Sequence, residues 1–180
     1  MTKEATNVID AAEYFLSNEN RQLCPFLYIV FKYWDAARAG KFAPKYANIE
    51  ISHLPMEMIP HCAVVDVTPG GSDFIYRYWG TSAADYFNKE MTGKSIQELP
   101  TQALCDISFI GYRQVFEAKT ALVSPTPYGQ AYNLDTHETI LRLPMSSNGI
   151  DVDVIMTVVE MAKEEFQNLK NLLENAAKEK

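Results

Sequence analysis

The side chains that most often do chemistry are scattered along this chain rather than paired. His53, His61 and His137 stand far apart, with no spacing suited to a shared metal ion. Cys24, Cys62 and Cys105 are an odd number without a CxxC pair, which argues against a disulfide framework and against a zinc site. Asp66 falls in a strand-like run, Asp73 in a turn, and Asp151 and Asp153 share one strand face; none has an evident acid–base partner. Gly93-Lys94-Ser95 has the form of the end of a phosphate loop. The upstream glycine that such a loop requires would sit at position 88, which is Asn88, so the motif fails. A small α+β isomerase would have to draw on His61, Asp66 and Tyr112, provided they meet in one cavity.

Two arginines carry more information. Arg77 and Arg142 each lie inside a mainly apolar strand-like run, Arg77 in register with Ile75 and Trp79. A buried guanidinium needs a carboxylate partner or an anionic ligand. Each arginine is therefore a residue on the exposed sheet face, or one paired with Asp66 or Asp153, or a pocket residue that holds a ligand carboxylate or phosphate. The aromatics pose the same choice. Trp79, Phe87, Phe109, Tyr112, Phe116 and Tyr128, with Leu104, either fill the core or line a pocket for an apolar or planar ligand.

The elements that must position these residues are legible in the periodicity. Asn7 caps a first helix with Val8, Ile9, Ala12, Phe15 and Leu16 on one face. Pro25 opens a second helix whose stripe is Leu23, Leu27, Val30, Trp34 and Ala37, and Gly40 ends it. Cys62–Val67 and Phe74–Trp79 are strand-like runs around a Pro69-Gly70-Gly71 turn. Short helices follow near 82–88 and 95–99, and a longer one spans about 101–119. Strands are expected at 122–128, 138–145 and 150–160, the last two joined by a hairpin turn at Ser146-Ser147-Asn148-Gly149. Ala162, Phe166, Leu169, Leu173 and Ala176 follow a heptad rhythm over a terminal helix.

The order predicts an α+β domain: a five-stranded antiparallel sheet with a helical crossover and helices on one face. It divides into an N-terminal helical extension (1–40), a sheet domain (41–160) and a C-terminal amphipathic helix (161–180). Leu27 and Trp34 on the N-terminal helix, with Phe166, Leu169 and Leu173 on the terminal one, are candidate surfaces for a homodimer or a signalling partner.

Composition bounds the function. Residues 61–160 hold six basic and twelve acidic groups within a net charge of −7. An acidic centre argues against nucleic acid, which needs clustered Lys and Arg. No apolar run reaches membrane-spanning length, and the polar start lacks a signal-peptide core, so the expected compartment is the cytoplasm.

Motif order adds a resemblance. Tyr33-Trp34, Arg38-Ala39-Gly40-Lys41, Pro44, Leu54-Pro55, Val65-Asp66-Val67, Phe74, Tyr76-Arg77, Gly80-Thr81 and Thr92-Gly93-Lys94-Ser95 together resemble the PAS domain. They are closest to the PAS_5 family of single-domain PAS-like proteins from alphaproteobacteria. The likeness covers about 27–160. It departs after Pro44, where Asn48-Ile49-Glu50-Ile51 stands in place of an acidic residue and proline. The resemblance implies a sensory or regulatory role in bacterial signal transduction, not an enzyme. It implies a ligand between the sheet and the crossover helices, and an output passed to a separate protein. The rival reading is a ligand-free adaptor with the same fold. Haem is not expected, because residues 101–119 contain no histidine. Flavin photochemistry is not expected either, because Ala103-Leu104-Cys105-Asp106-Ile107 lacks the reactive-cysteine motif.

Overall fold

A computed structural model describes residues 7–125, 138–161 and 171. The candidates Tyr128, Phe166, Leu169 and Leu173, and the terminal heptads, lie outside the described residues. Among the described residues the strands β1 (Ile9–Asp10), β2 (Cys62–Val67), β3 (Phe74–Trp79), β4 (Leu122–Pro125), β5 (Thr139–Met145) and β6 (Val154–Glu160) form one antiparallel sheet. Its order is β1-β4-β5-β6-β2-β3. The helices are α1 (Ala11–Tyr14), α2 (Asn18–Leu23), α3 (Pro25–Arg38), α4 (Thr81–Phe87) and α5 (Gln102–Ala118). The molecule is thus α+β, with six strands rather than five. No helix among the described residues is long and apolar enough to cross a membrane.

The sixth strand comes from the segment predicted to be the first helix. Ile9 and Asp10 pair with Val123 and Leu122. Asp10 then caps α1, its carboxylate accepting from the amides of Ala12 (2.8 Å) and Glu13 (3.3 Å). The predicted first helix is thus shortened to α1, Ser17 caps a further helix, α2, that was not expected, and Leu16, expected on the apolar face of the first, is exposed.

The prediction of helices on one face also fails. α3 starts at Pro25 as expected and covers one face of the sheet; α4 and α5 cover the other. Leu27, Val30, Phe31 and Trp34 of α3 pack with Val64, Leu141, Leu143, Met145, Met156 and Val158. Full burial of each large apolar side chain stabilises the fold by roughly 1.5–3 kcal/mol. Trp34 donates from Nε1 to the Pro144 carbonyl at 2.8 Å, so the indole is satisfied inside. Leu27 and Trp34, expected on a dimer or partner surface, are 0% and 3% exposed and belong to this core.

On the opposite face Phe74, Tyr76 and Trp79 of β3 pack with Leu104, Cys105, Tyr112 and Val115 of α5, and with Val65 and Ile155. α5 carries the chain from β3, at one edge of the sheet, to β4 near the other. It is capped by Thr101, whose hydroxyl accepts from the Leu104 amide. It also grips the β2–β3 turn, where Arg113 Nη1 donates to the carbonyls of Gly70 and Gly71 at 2.7 and 3.1 Å.

The β5–β6 connection is longer than the predicted turn. β6 begins at Val154, and Asn148 uses its side-chain oxygen to accept from the amides of Ile150 and Asp151. A turn centred on Asn148 and Gly149 would set Arg142 opposite Ile155; the longer loop sets Arg142 opposite Thr157. A shift of two residues leaves every side chain on its predicted face and changes only its cross-strand neighbour.

Candidate functional site

Arg142 is the residue that organises the site. β5 alternates strictly: Leu141, Leu143 and Met145 face α3, which turns Ile140 and Arg142 toward α5. Arg142 is 4% exposed. Its Nη1 donates to Ser124 Oγ on β4 at 3.1 Å, and its guanidinium carbon lies 5.4 Å from the centre of the Tyr112 ring on α5. Among the described residues no carboxylate pairs with it, and its buried Nε has no hydrogen-bond partner.

α5 accommodates this charge through Gly111. A Cβ built at Gly111 would lie 2.5 Å from the guanidinium carbon and 2.7–2.8 Å from the two terminal nitrogens. Glycine inside a helix costs about 1 kcal/mol relative to alanine. Here it lets the flat guanidinium rest against the helix backbone.

The guanidinium opens onto a cavity of about 50 Å³ between the sheet and the crossover helices. Tyr76 and Trp79 of β3, Ala83 and Phe87 of α4, Ser108 and Tyr112 of α5, and Thr157 and Val159 of β6 line it, together with His61, Cys62 and Leu99. The Thr157 hydroxyl donates to Tyr112 Oη at 3.2 Å. Burial pushes the Tyr112 phenol up; the Arg142 charge and hydrogen bonds with Thr157 and Tyr76 pull the other way. Burial holds His61 below the ordinary histidine value. The wall therefore combines the apolar side chains of Trp79, Phe87, Leu99 and Val159 with one cation and four hydroxyls.

Of the residues singled out from sequence, Trp79, Phe87, Tyr112 and Arg142 meet at this cavity. Leu104 is buried in the core beside it. Phe109 packs edge-on against Phe74 at 5.8 Å, and Phe116 lies under Arg113 and against Gly71. None of these three lines it. Arg77 is on the other face of the sheet. The β2–β3 ladder slips between Val64 and Val65, so Arg77 is an extra residue between Tyr78, paired with Val64, and Tyr76, paired with Val65. Trp79 therefore shares its face with Tyr76, not with Arg77, which is exposed, ion-paired with Asp66 and stacked over Tyr46 at 4.8 Å. Asp66 goes with it, so His61 and Tyr112 are brought to the cavity without the carboxylate.

Ser108, Gly111, Ser124 and Thr157 were not anticipated. Ser108 and Gly111 fall within the helix expected at about 101–119, where no local signal marks their role. Ser124 and Thr157 depend on strand register, which no local motif announces. Among the described residues no three His, Cys, Asp or Glu side chains cluster as a metal site would require. All three cysteines are free and buried. Compared with known proteins, the chain matches no protein-family model, no curated protein and no solved structure.

Proposed function

We propose that this protein is a PAS-type sensory or regulatory module. It takes a small ligand into the crevice between the sheet and α5 and signals through a separate partner protein. The observation that carries this reading is Arg142: a permanently charged guanidinium, 4% exposed, without a counter-charge among the described residues, at the wall of a cavity. An arginine kept for stability alone would be paired, because burying an unpaired charge costs several kcal/mol. A charge kept in that state is kept for something that visits it.

The topology supports the PAS part of the reading. Without the two-residue strand β1, the strands lie in the order β4-β5-β6-β2-β3, with α4 and α5 in the crossover between β3 and β4. That arrangement is the one the PAS resemblance leads one to expect, and the crevice lies where that family's ligands sit. α3 covers the other face, so a signal leaves this domain through the rim of the crevice or the sheet ends rather than through an open sheet face.

The cavity volume favours one rival. About 50 Å³ is far below the few hundred Å³ of an ordinary metabolite pocket. A ligand-free adaptor of the same fold would have such a core. Native mass spectrometry of the purified full-length chain, repeated after denaturation, separates the two. A reproducible mass excess lost on unfolding is the expected result. A bare polypeptide mass, with no small molecule of any class binding in a thermal-shift panel, overturns the sensor reading in favour of the adaptor.

A further inference from the structure

We infer that the Arg142 cavity takes a small monocarboxylate, held by the guanidinium. The inference rests on the ligand-binding reading above and names the chemistry of the ligand.

The first argument is charge. Arginine stays protonated at any physiological pH, so the buried site carries one positive charge at all times. Among the described residues nothing of opposite sign meets it. A ligand with one negative charge neutralises the site. A phosphate or sulfate dianion would reverse the problem and bury an excess negative charge.

The second is direction. Nη1 is committed to Ser124, the ring of Tyr112 lies over the guanidinium, and Gly111 brings helix backbone against it. Among the described residues Nε has no partner, and it is shut off from the cavity, with essentially no accessible surface. The guanidinium N–H groups that line the cavity can donate to both oxygens of a carboxylate, which a spherical halide cannot match.

The third is size and lining. A water needs about 10–15 Å³ of cavity space, so a cavity of about 50 Å³ has room for three or four, the size of a carboxylate with one small alkyl group. Trp79, Phe87 and Leu99 offer the alkyl end an apolar wall, while the hydroxyls of Ser108 and Thr157 stay on the polar side. The ligand is thus of formate, acetate or propionate size.

The test uses the full-length protein and acetate as the probe, with chloride and phosphate at matched ionic strength. Thermal melting and saturation-transfer NMR on the acetate methyl are the readouts. Acetate is expected to raise the melting temperature saturably and to show transfer, and neither control is. Arg142→Lys keeps the charge and loses the fork; it should weaken acetate at least tenfold. Arg142→Met should abolish the effect while circular dichroism stays native. Arg77→Gln should bind acetate like the parent. Absence of saturable acetate binding, or equal binding by Arg142→Met, overturns the inference. If acetate fails while native mass spectrometry finds a different small molecule, the sensor reading stands and the carboxylate assignment falls. If both fail, both fall.

Discussion

The two faces of the sheet share their strands and differ in everything those strands present. Toward α3 the residues are Val64, Val123, Leu141, Leu143, Met145, Met156 and Val158, all nearly fully buried, and the facing helix adds Leu27, Val30, Phe31 and Trp34. Toward α5 the same strands present Arg142, Ser124, Thr157 and Tyr76 among Val65, Phe74 and Ile155, with a cavity in the middle. One face is packed for density; the other gives up density and buries a charge. Close packing is what makes a domain stable, and a missing methyl group in it is felt. A face that departs from it beside an unpaired cation is where binding is to be looked for. The difference also shows how little separates the two roles: successive residues of β5, joined by one peptide bond, serve opposite ends.

Substitutions can sharpen or break this contrast. Leu141→Ala on the packed face should cost about 2–5 kcal/mol, read from chemical denaturation, since it opens a cavity under α3. A loss below 1 kcal/mol would mean that this face is not the stabilising one. Gly111→Ala tests the opposite face by its sign. Alanine favours a helix interior by about 1 kcal/mol. The contact of its Cβ with the Arg142 guanidinium should outweigh that and leave a net loss of about 1–3 kcal/mol. A stabilised variant would show that the guanidinium moves freely.

Arg142→Met should leave stability unchanged or raise it, because an unpaired buried charge is exchanged for an apolar chain of similar length. Marked destabilisation would show that the arginine is a structural member of the core. A pH effect is smaller. Burial holds the folded-state pKa of His61 below its unfolded value, so the unfolded chain binds more protons in mild acid. The stability this group contributes is present above about pH 6.5, the unfolded value. It is lost as pH falls through the lower folded value. The charged and titratable neighbours at the cavity are Arg142, Tyr112, Tyr76 and Cys62. Denaturation midpoints between pH 5 and 7.5 should fall toward acid in the parent and less steeply in His61→Gln; equal slopes would remove His61 as the cause. Smallest of all, Arg77→Gln should change stability by about 1 kcal/mol or less, since both partners of its ion pair with Asp66 are well exposed.

Much of this was legible in the residues alone. Pro25, the apolar stripe through Leu27, Val30 and Trp34, and the break at Gly40 define α3 in order and nearly in extent. The Gly-rich turn and flanking apolar runs define β2 and β3, and the alternation of Ile140, Arg142 and Pro144 against Leu141, Leu143 and Met145 assigns β5 its two faces. These are local signals: a cap, a period, a turn residue. Arg142 could be singled out because a charge in an apolar strand is conspicuous, but Arg77 looked the same. What separates them is a bulge and a neighbouring strand. At Arg77 the ladder slips and the chain turns the side chain out to Asp66; at Arg142 the strand is central and both faces are covered.

The sequence by itself determined the α+β order, the helix α3, the two strand hairpins and the alternation along β5, because each depends on residues within a few positions of one another. Only the tertiary structure decided that Ile9–Asp10 joins the sheet, that α3 covers its second face and takes Trp34 with it, and that Gly111, Ser124 and Thr157 converge on Arg142. Those facts depend on strand register and on which helix lies across which face. Register is set by the summed packing of both faces and the length of a distant loop, and no short stretch of residues carries that sum.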